Sequence, residues 1–193
     1  MPDKSPLCGQ ASNTHARAVL IAGSGGQGIL FAGKLLAQSA MNEGRNVTWF
    51  PSYGAEVRGG TANCTVVISD GQIGSPIVGS PDVLIVMNSA SLERFGPRLK
   101  PDGALVINTS IVDETTVNKE IKNFFCVPAG DIALKLGDQL AANMVIVGAS
   151  ARAAGLCGLD SLKNALRELA AGKKALLELN LGALDEGWNY RAG

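Results

Sequence analysis

RAVLIAGSGGQGILFAGKLLAQSAMNEGRNVTWF, running from Arg17 to Phe50, decides the fold. A short apolar run, Arg17 to Ala22, ends at a glycine cluster, Gly23-Ser24-Gly25-Gly26-Gln27-Gly28. Behind it Ile29, Leu30, Ala32, Leu35, Leu36, Ser39 and Ala40 recur at helical spacing, and Gly44 stands where a C-terminal glycine belongs. Asn46 to Phe50 then reads as a second strand. Strand, glycine turn, helix and strand make a βαβ unit, which predicts a parallel sheet.

Outward from this unit, Pro51 to Gly60 reads as a loop and Thr61 to Ser69 as a strand. Asp70-Gly71 is a turn signal, with Gln72 to Val78 as the expected returning strand. Val83 to Met87 and Ala104 to Asn108 are apolar enough for the centre of a sheet, Asn88 to Leu99 lies between them as a helix, and Phe124 to Val127 offers one more strand. From Asp131 to Tyr190 the pattern is helical: a buried helix over Ala141 to Ala154, one capped by Asp160-Ser161, and an amphipathic one over Lys173 to Leu184. The expected fold is α/β, an open Rossmann-like, mostly parallel sheet flanked by helices. Its helical C-terminal third packs on the sheet or covers a partner. Residues 1–16 are expected to form a flexible N-terminal tail and residues 17–193 a single α/β domain.

Composition removes several classes of function. Lys plus Arg equals Asp plus Glu at 17 each, so the chain lacks the positive excess a general nucleic-acid binder needs. No apolar run approaches the roughly 20 residues of a membrane-spanning helix, and Met1 to Thr14 lacks the apolar core of a secretory signal. The expected location is the cytoplasm. Cys8, Cys64, Cys126 and Cys157 are dispersed, without the close spacing of a cluster or zinc site, so no metal is expected on this chain. The single histidine, His15, lies in the polar tail and is a poor general base on position alone.

Two segments carry candidate binding residues. Gly23-x-Gly25-x-x-Gly28 sits between strand and helix, where a glycine turn can approach a phosphate and the helix N-terminus favours an anion. Gly23, Gly25, Gly26, Gln27 and Gly28 are therefore candidate cofactor-binding residues. The Gln27 amide could reach a ligand or a neighbouring loop, and the whole turn could equally serve packing at an interface. A dinucleotide site also needs an acid ending the second strand. Here that strand ends Trp49-Phe50-Pro51-Ser52, with Glu43 before it and Glu56 well beyond. The second segment, Tyr53 to Gly60, follows that strand and belongs at the same carboxyl edge of the sheet. It places Glu56 and Arg58 two residues apart among Gly54, Gly59 and Gly60. Arg58 could grip a carboxylate or phosphate with Glu56 orienting it, or the two could form an ordinary surface ion pair.

Together these segments resemble the gamma subunit of 2-oxoacid:ferredoxin oxidoreductases. The carriers are Gly23-Ser-Gly-Gly-Gln-Gly28, Pro51-Ser-Tyr-Gly-Ala-Glu-Val-Arg-Gly-Gly-Thr-Ala-Asn63, Ile73-Gly-Ser-Pro-Ile77, Pro81-Asp82 and Met87-Asn88, in that order. The loop wording looks most like the 2-oxoglutarate type, apart from Ala55 where Pro is expected in many relatives. The resemblance implies alpha and beta partner subunits carrying thiamine diphosphate and magnesium, and a ferredoxin-like subunit carrying iron–sulfur clusters. Coenzyme A is implied as co-substrate, and no cofactor is expected on this chain alone. The chain agrees in lacking the G-D-G pattern of thiamine-diphosphate sites, since neither Gly130-Asp131 nor Gly137-Asp138 is followed by Gly. It also implies supporting catalytic roles for Glu56 and Arg58, with Tyr53, Gly59, Gly60 and Asn63 as further contacts to the cofactor or CoA path. Isolated, the chain is expected to be inactive and capable of self-association. A free-standing nucleotide-binding protein and a scaffold subunit remain the alternatives.

Overall fold

A computed structural model describes residues 16–52, 61–170 and 174–191. Its centre is one six-stranded sheet in the order β2-β3-β1-β4-β5-β6. The strands are β1 (Arg17–Ser24), β2 (Asn46–Ser52), β3 (Thr61–Ser69), β4 (Val83–Val86), β5 (Ala104–Asn108) and β6 (Asn123–Val127). β1, β4, β5 and β6 pair in parallel, while β3 runs antiparallel to both of its neighbours, β1 and β2. The sheet is therefore mostly parallel, as expected, with one reversed strand inserted between the two strands of the opening βαβ unit.

Two sequence expectations give way here. β2 runs through Pro51 to Ser52 instead of ending at Phe50, because β2 is an edge strand and a proline there removes no necessary ladder bond. Gln72 to Val78 is not a strand. β3 already has β1 on one side and β2 on the other, so a strand returning after Asp70-Gly71 would find no free edge.

Helices cover the two faces unequally. β4 is buried at every position, as a central parallel strand must be. One face, bearing Val19, Ile21, Cys64, Val66, Ile85 and Val106, carries most of the helical mass. That mass is α1 (Ile29–Asn42), α3 (Ala129–Leu136), α4 (Ala142–Ala153), α5 (Leu159–Leu169) and α6 (Lys174–Asn189). The other face, with Leu20, Leu84, Leu105 and Ile107, is covered by α2 (Ser89–Phe95) and by Val112 and Val117 from the β5–β6 connection. The helical third thus packs on the sheet. α5 starts at Leu159 with Gly158 as its N-cap, two residues before the expected Asp160-Ser161 cap, because Glu43 at the end of α1 accepts a 2.6 Å bond from the Gly158 N–H and fixes the helix entry.

α4 is buried on all sides because α6 lies on its outer face at backbone distance. A Cβ on Gly187 would overlap the Val145 carbonyl, and one on Gly148 would stand 3.0 Å from the Trp188 nitrogen. At the sheet's amino edge Asp82 accepts a 2.8 Å bond from the Ala18 N–H and pairs with Lys100 at 2.6 Å, tying β1, β4 and the approach to β5. No described helix is long and apolar enough to cross a membrane.

Candidate functional site

At the opposite, carboxyl edge, the ends of β1, β4 and β5 meet. β1 ends in the turn from Gly23 to Gly28, β4 is followed by Met87-Asn88, and β5 ends at Asn108. Such an edge is where open α/β sheets collect ligands. A short amide network closes the turn onto β4. Gln27 Oε1 accepts from the Ser24 N–H at 2.7 Å, and Gln27 Nε2 donates to the Met87 carbonyl at 3.3 Å. Asn88 caps α2 through its Oδ1, which accepts from the Ser91 N–H at 2.8 Å, while its Nδ2 donates to Ser24 Oγ at 2.6 Å.

Each glycine of the turn has a different place in this geometry. Gly23 is still inside β1, where a Cβ would lie 2.9 Å from Met87 Cβ and 2.6 Å from Gln27 Oε1, so its work is packing rather than turning. The left-handed positions are Gly26 (φ 91) and Gly28 (φ 70). Gly25 and Gly26 are exposed and form the open part of the turn. Gly28 caps α1 and lies against Asn143 of α4, whose Nδ2 donates to the Gly28 carbonyl at 3.4 Å. The Gln27 side chain is engaged by Ser24 and Met87, so it shapes the turn from within.

Asn63 pairs with Ala22 and Ser52 in the middle of the β2-β3-β1 ladder. Cys64 faces α1, with its Sγ 3.5 Å from the Ile29 carbonyl, so strand alternation puts Asn63 on the α2 face. Thr61, on that same face, accepts a 2.6 Å bond from Arg94 of α2 and pairs with Ser24. Tyr53, Glu56, Arg58, Gly59 and Gly60 lie outside the described residues. β2 leads into their segment and β3 leads out of it, at the edge that carries the turn.

Beside the turn lie two adjoining hollows. A recess of about 160 Å³ is lined by Gln27, Met87, Asn108, Ile111, Ala142 and Asn143, among others. An outer groove of about 390 Å³ runs past Gly28, Phe31, Leu140, Leu169, Leu176 and Asn180. Gly26, Leu140 and Asn143 line both. Among the described residues no ionisable side chain lines either hollow. The place where a dinucleotide fold sets a ribose-binding acid, the parallel strand beside β1, is taken by antiparallel β3. Asn88, Asn108 and Asn143 were not among the sequence candidates. Each had a signal: two apolar strand segments, VLIVM and ALVI, run straight into an Asn, and a third Asn interrupts an apolar helix.

Thiols and metal ligands add nothing to this edge. Burial pushes the Cys64 thiol up to about 12, against the weaker pull of bonds with Trp49 and Gly33. Burial also pushes Cys157 up to about 12, with Glu43 adding to it, and Cys126 up to about 11 with help from the Glu114 carboxylate. Thiols held that high are poor nucleophiles and poor metal ligands. Among the described residues no three His, Cys, Asp or Glu side chains come together to hold a metal ion.

Residues 18–190 match the family model described as pyruvate ferredoxin/flavodoxin oxidoreductase. The ketoisovalerate oxidoreductase subunit VorA of Methanothermobacter marburgensis is 42% identical over 174 residues, which are 89% of this chain and 36% of that relative. The chain thus spans about a third of that longer protein. The 2-oxoglutarate synthase subunit KorC of Methanothermobacter thermautotrophicus is 34% identical over 79% of this chain and 84% of its own length. Among solved structures, the gamma subunit of the keto/oxoacid ferredoxin oxidoreductase from Geobacter sulfurreducens superposes with a TM-score of 0.76. It is 27% identical, over 89% of this chain and 96% of that one.

Proposed function

Because the chain belongs to the pyruvate ferredoxin/flavodoxin oxidoreductase family, we propose that it is the gamma component of an enzyme that oxidatively decarboxylates a 2-oxo acid. The reaction joins a 2-oxo acid and CoA, releases carbon dioxide, and passes two electrons to ferredoxin, leaving acyl-CoA. The observation that carries the division of labour is the lining of the two hollows at the carboxyl edge. The described residues there offer amides, backbone N–H groups and apolar walls, but no acid, base or thiolate. Such a surface binds, orients and excludes water; it does not make or break bonds.

The bond-making groups belong on this reading to partner subunits carrying thiamine diphosphate and iron–sulfur clusters. The gamma chain lies beside their site and shapes the CoA path. Thiamine diphosphate supplies the carbanion chemistry of decarboxylation when bound there. Around the hollows Ile111, Leu140 and Leu176 are 48%, 72% and 42% exposed, an apolar rim that suits burial against another chain. On the same reading Glu56 and Arg58 are the groups assigned to steady a phosphate or carboxylate of the substrates. The test is affinity purification of the tagged chain from its native cells. Stoichiometric co-elution of thiamine-diphosphate and cluster-bearing chains supports the proposal, and elution of the chain alone removes it.

A further inference from the structure

Asn108 ends β5 and is fully buried. Its Oδ1 accepts from the backbone N–H groups of Ser110 and Gly130, each at 3.3 Å. Those two donors decide which end of the amide is oxygen. The other end, Nδ2, is buried with no hydrogen-bond partner. Asn108 lines the recess of about 160 Å³ beside the glycine turn. A buried donor left unmatched is rare in a folded protein and points to a missing acceptor.

The recess defines that acceptor further. Cavities of about this size hold a group of about six heavy atoms, well beyond a single water. Its walls include Met87, Ile111, Leu140 and Ala142, which are aliphatic, with no aromatic ring among the described residues on which a nucleobase could stack. Among the described residues no cation or carboxylate lines it, so a charged head group would meet no counter-charge from them. The unpartnered Asn108 donor, with the amides of Gln139 and Asn143 beside it and aliphatic walls around it, matches a carbonyl oxygen on an uncharged chain.

We propose that the recess beneath Asn108 binds an uncharged amide- or acyl-bearing chain whose carbonyl oxygen accepts a hydrogen bond from Asn108 Nδ2. The proposal deepens the reading above, and rests on it for the natural ligand: CoA brings an amide arm and its product an acyl group. The glycine turn adjoins the recess at Gly26 and Gln27 and leaves the outer groove as the way in.

The test follows the side-chain amide NMR resonance of Asn108 in the full chain during titration with pantetheine, isobutyramide and ADP. Pantetheine is expected to move it saturably. Asn108→Asp keeps both accepted bonds but removes the donor, and should weaken pantetheine about two- to tenfold, read by calorimetry. Should that variant misfold, Ala142→Leu fills the recess from α4 without touching those bonds, and should weaken binding by about tenfold or more through steric exclusion. Isobutyramide separates the sources: affinity equal to pantetheine's assigns the acyl end, and tenfold weaker affinity assigns the amide arm. A resonance unmoved by either amide, a shift produced equally by ADP, or unchanged pantetheine affinity in Ala142→Leu would overturn the proposal. Failure of the chain to co-purify with partner subunits would sink the assembly reading and leave these shifts in place.

Discussion

Replacing Gly28 with Ala perturbs the turn where its two constraints meet. The residue sits at φ 70, left of the range an L side chain favours, and moving Ala there costs about 1–2 kcal/mol. The new Cβ would also overlap Asn143 Nδ2 and lie 3.1 Å from its Cγ. Asn143 is only 8% exposed and gives its amide to the Gly28 carbonyl, so displacing it leaves a buried donor without a partner, a further cost of about 1–3 kcal/mol. The sum is about 2–5 kcal/mol, a drop in melting temperature of roughly 5–15 °C for a chain of this size. Urea denaturation of four proteins (wild type, Gly28→Ala, Asn143→Ala and the double variant) separates the parts. In the Asn143→Ala background the overlap is gone, and Gly28→Ala should cost only the backbone share, about 1–2 kcal/mol. A cost in the wild-type background below about 0.5 kcal/mol, or a strictly additive cycle, would refute the close packing of the turn on α4.

Gly187→Ala should destabilise the chain by about 1–3 kcal/mol or more, because α6 cannot accept a side chain against the Val145 carbonyl without moving off α4; chemical denaturation reads this directly. Cys64 and Cys157, with thiols raised to about 12 by burial, should resist alkylation at pH 8 in the native chain and react only on unfolding, as counted by mass spectrometry. For Glu43, burial pushes the carboxyl up, but the Gly158 N–H, Ser161 and Arg45 together hold it below the ordinary value. Its share of stability is present above the unfolded value and is lost as pH falls through the lowered folded value, so Glu43→Gln should flatten the acid limb of a stability–pH profile. Arg58→Ala should lower turnover of the assembled enzyme by about tenfold or more, with the melting temperature of the chain unchanged; equal kinetics would remove Arg58 from the mechanism.

The parallel core was legible because its strands are written in apolar runs ending at turn residues, and because the glycine turn joins strand to helix in the first unit. What the sequence left open was pairing. β3 reads as a strand from its composition, but nothing local states that it reverses and enters between β1 and β2, and so the strand expected after Asp70-Gly71 had no edge to occupy. The turn was legible, but the backbone conformation of each glycine in it was not. G-x-G-x-x-G marks Gly25 for close approach, while the backbone uses Gly26 and Gly28 for left-handed positions and Gly23 for contact with Met87. Gln27 looked available to a ligand because the Met87 carbonyl it reaches lies sixty residues away in sequence. The three asparagines at the carboxyl edge, two of which line the recess, were missed for the same reason. Asn88, Asn108 and Asn143 come from separate elements, and only the sheet's carboxyl edge assembles them.

The central claim, that this chain works as a binding component of a larger 2-oxo-acid oxidoreductase, is tested most directly by add-back. The native complex is prepared with this chain depleted, and 2-oxo-acid-dependent reduction of a viologen dye is measured with CoA before and after purified chain is returned. The account predicts that activity is lost on depletion and restored in proportion to the chain added, with none from the chain alone. Full CoA-dependent activity in the depleted complex would contradict it.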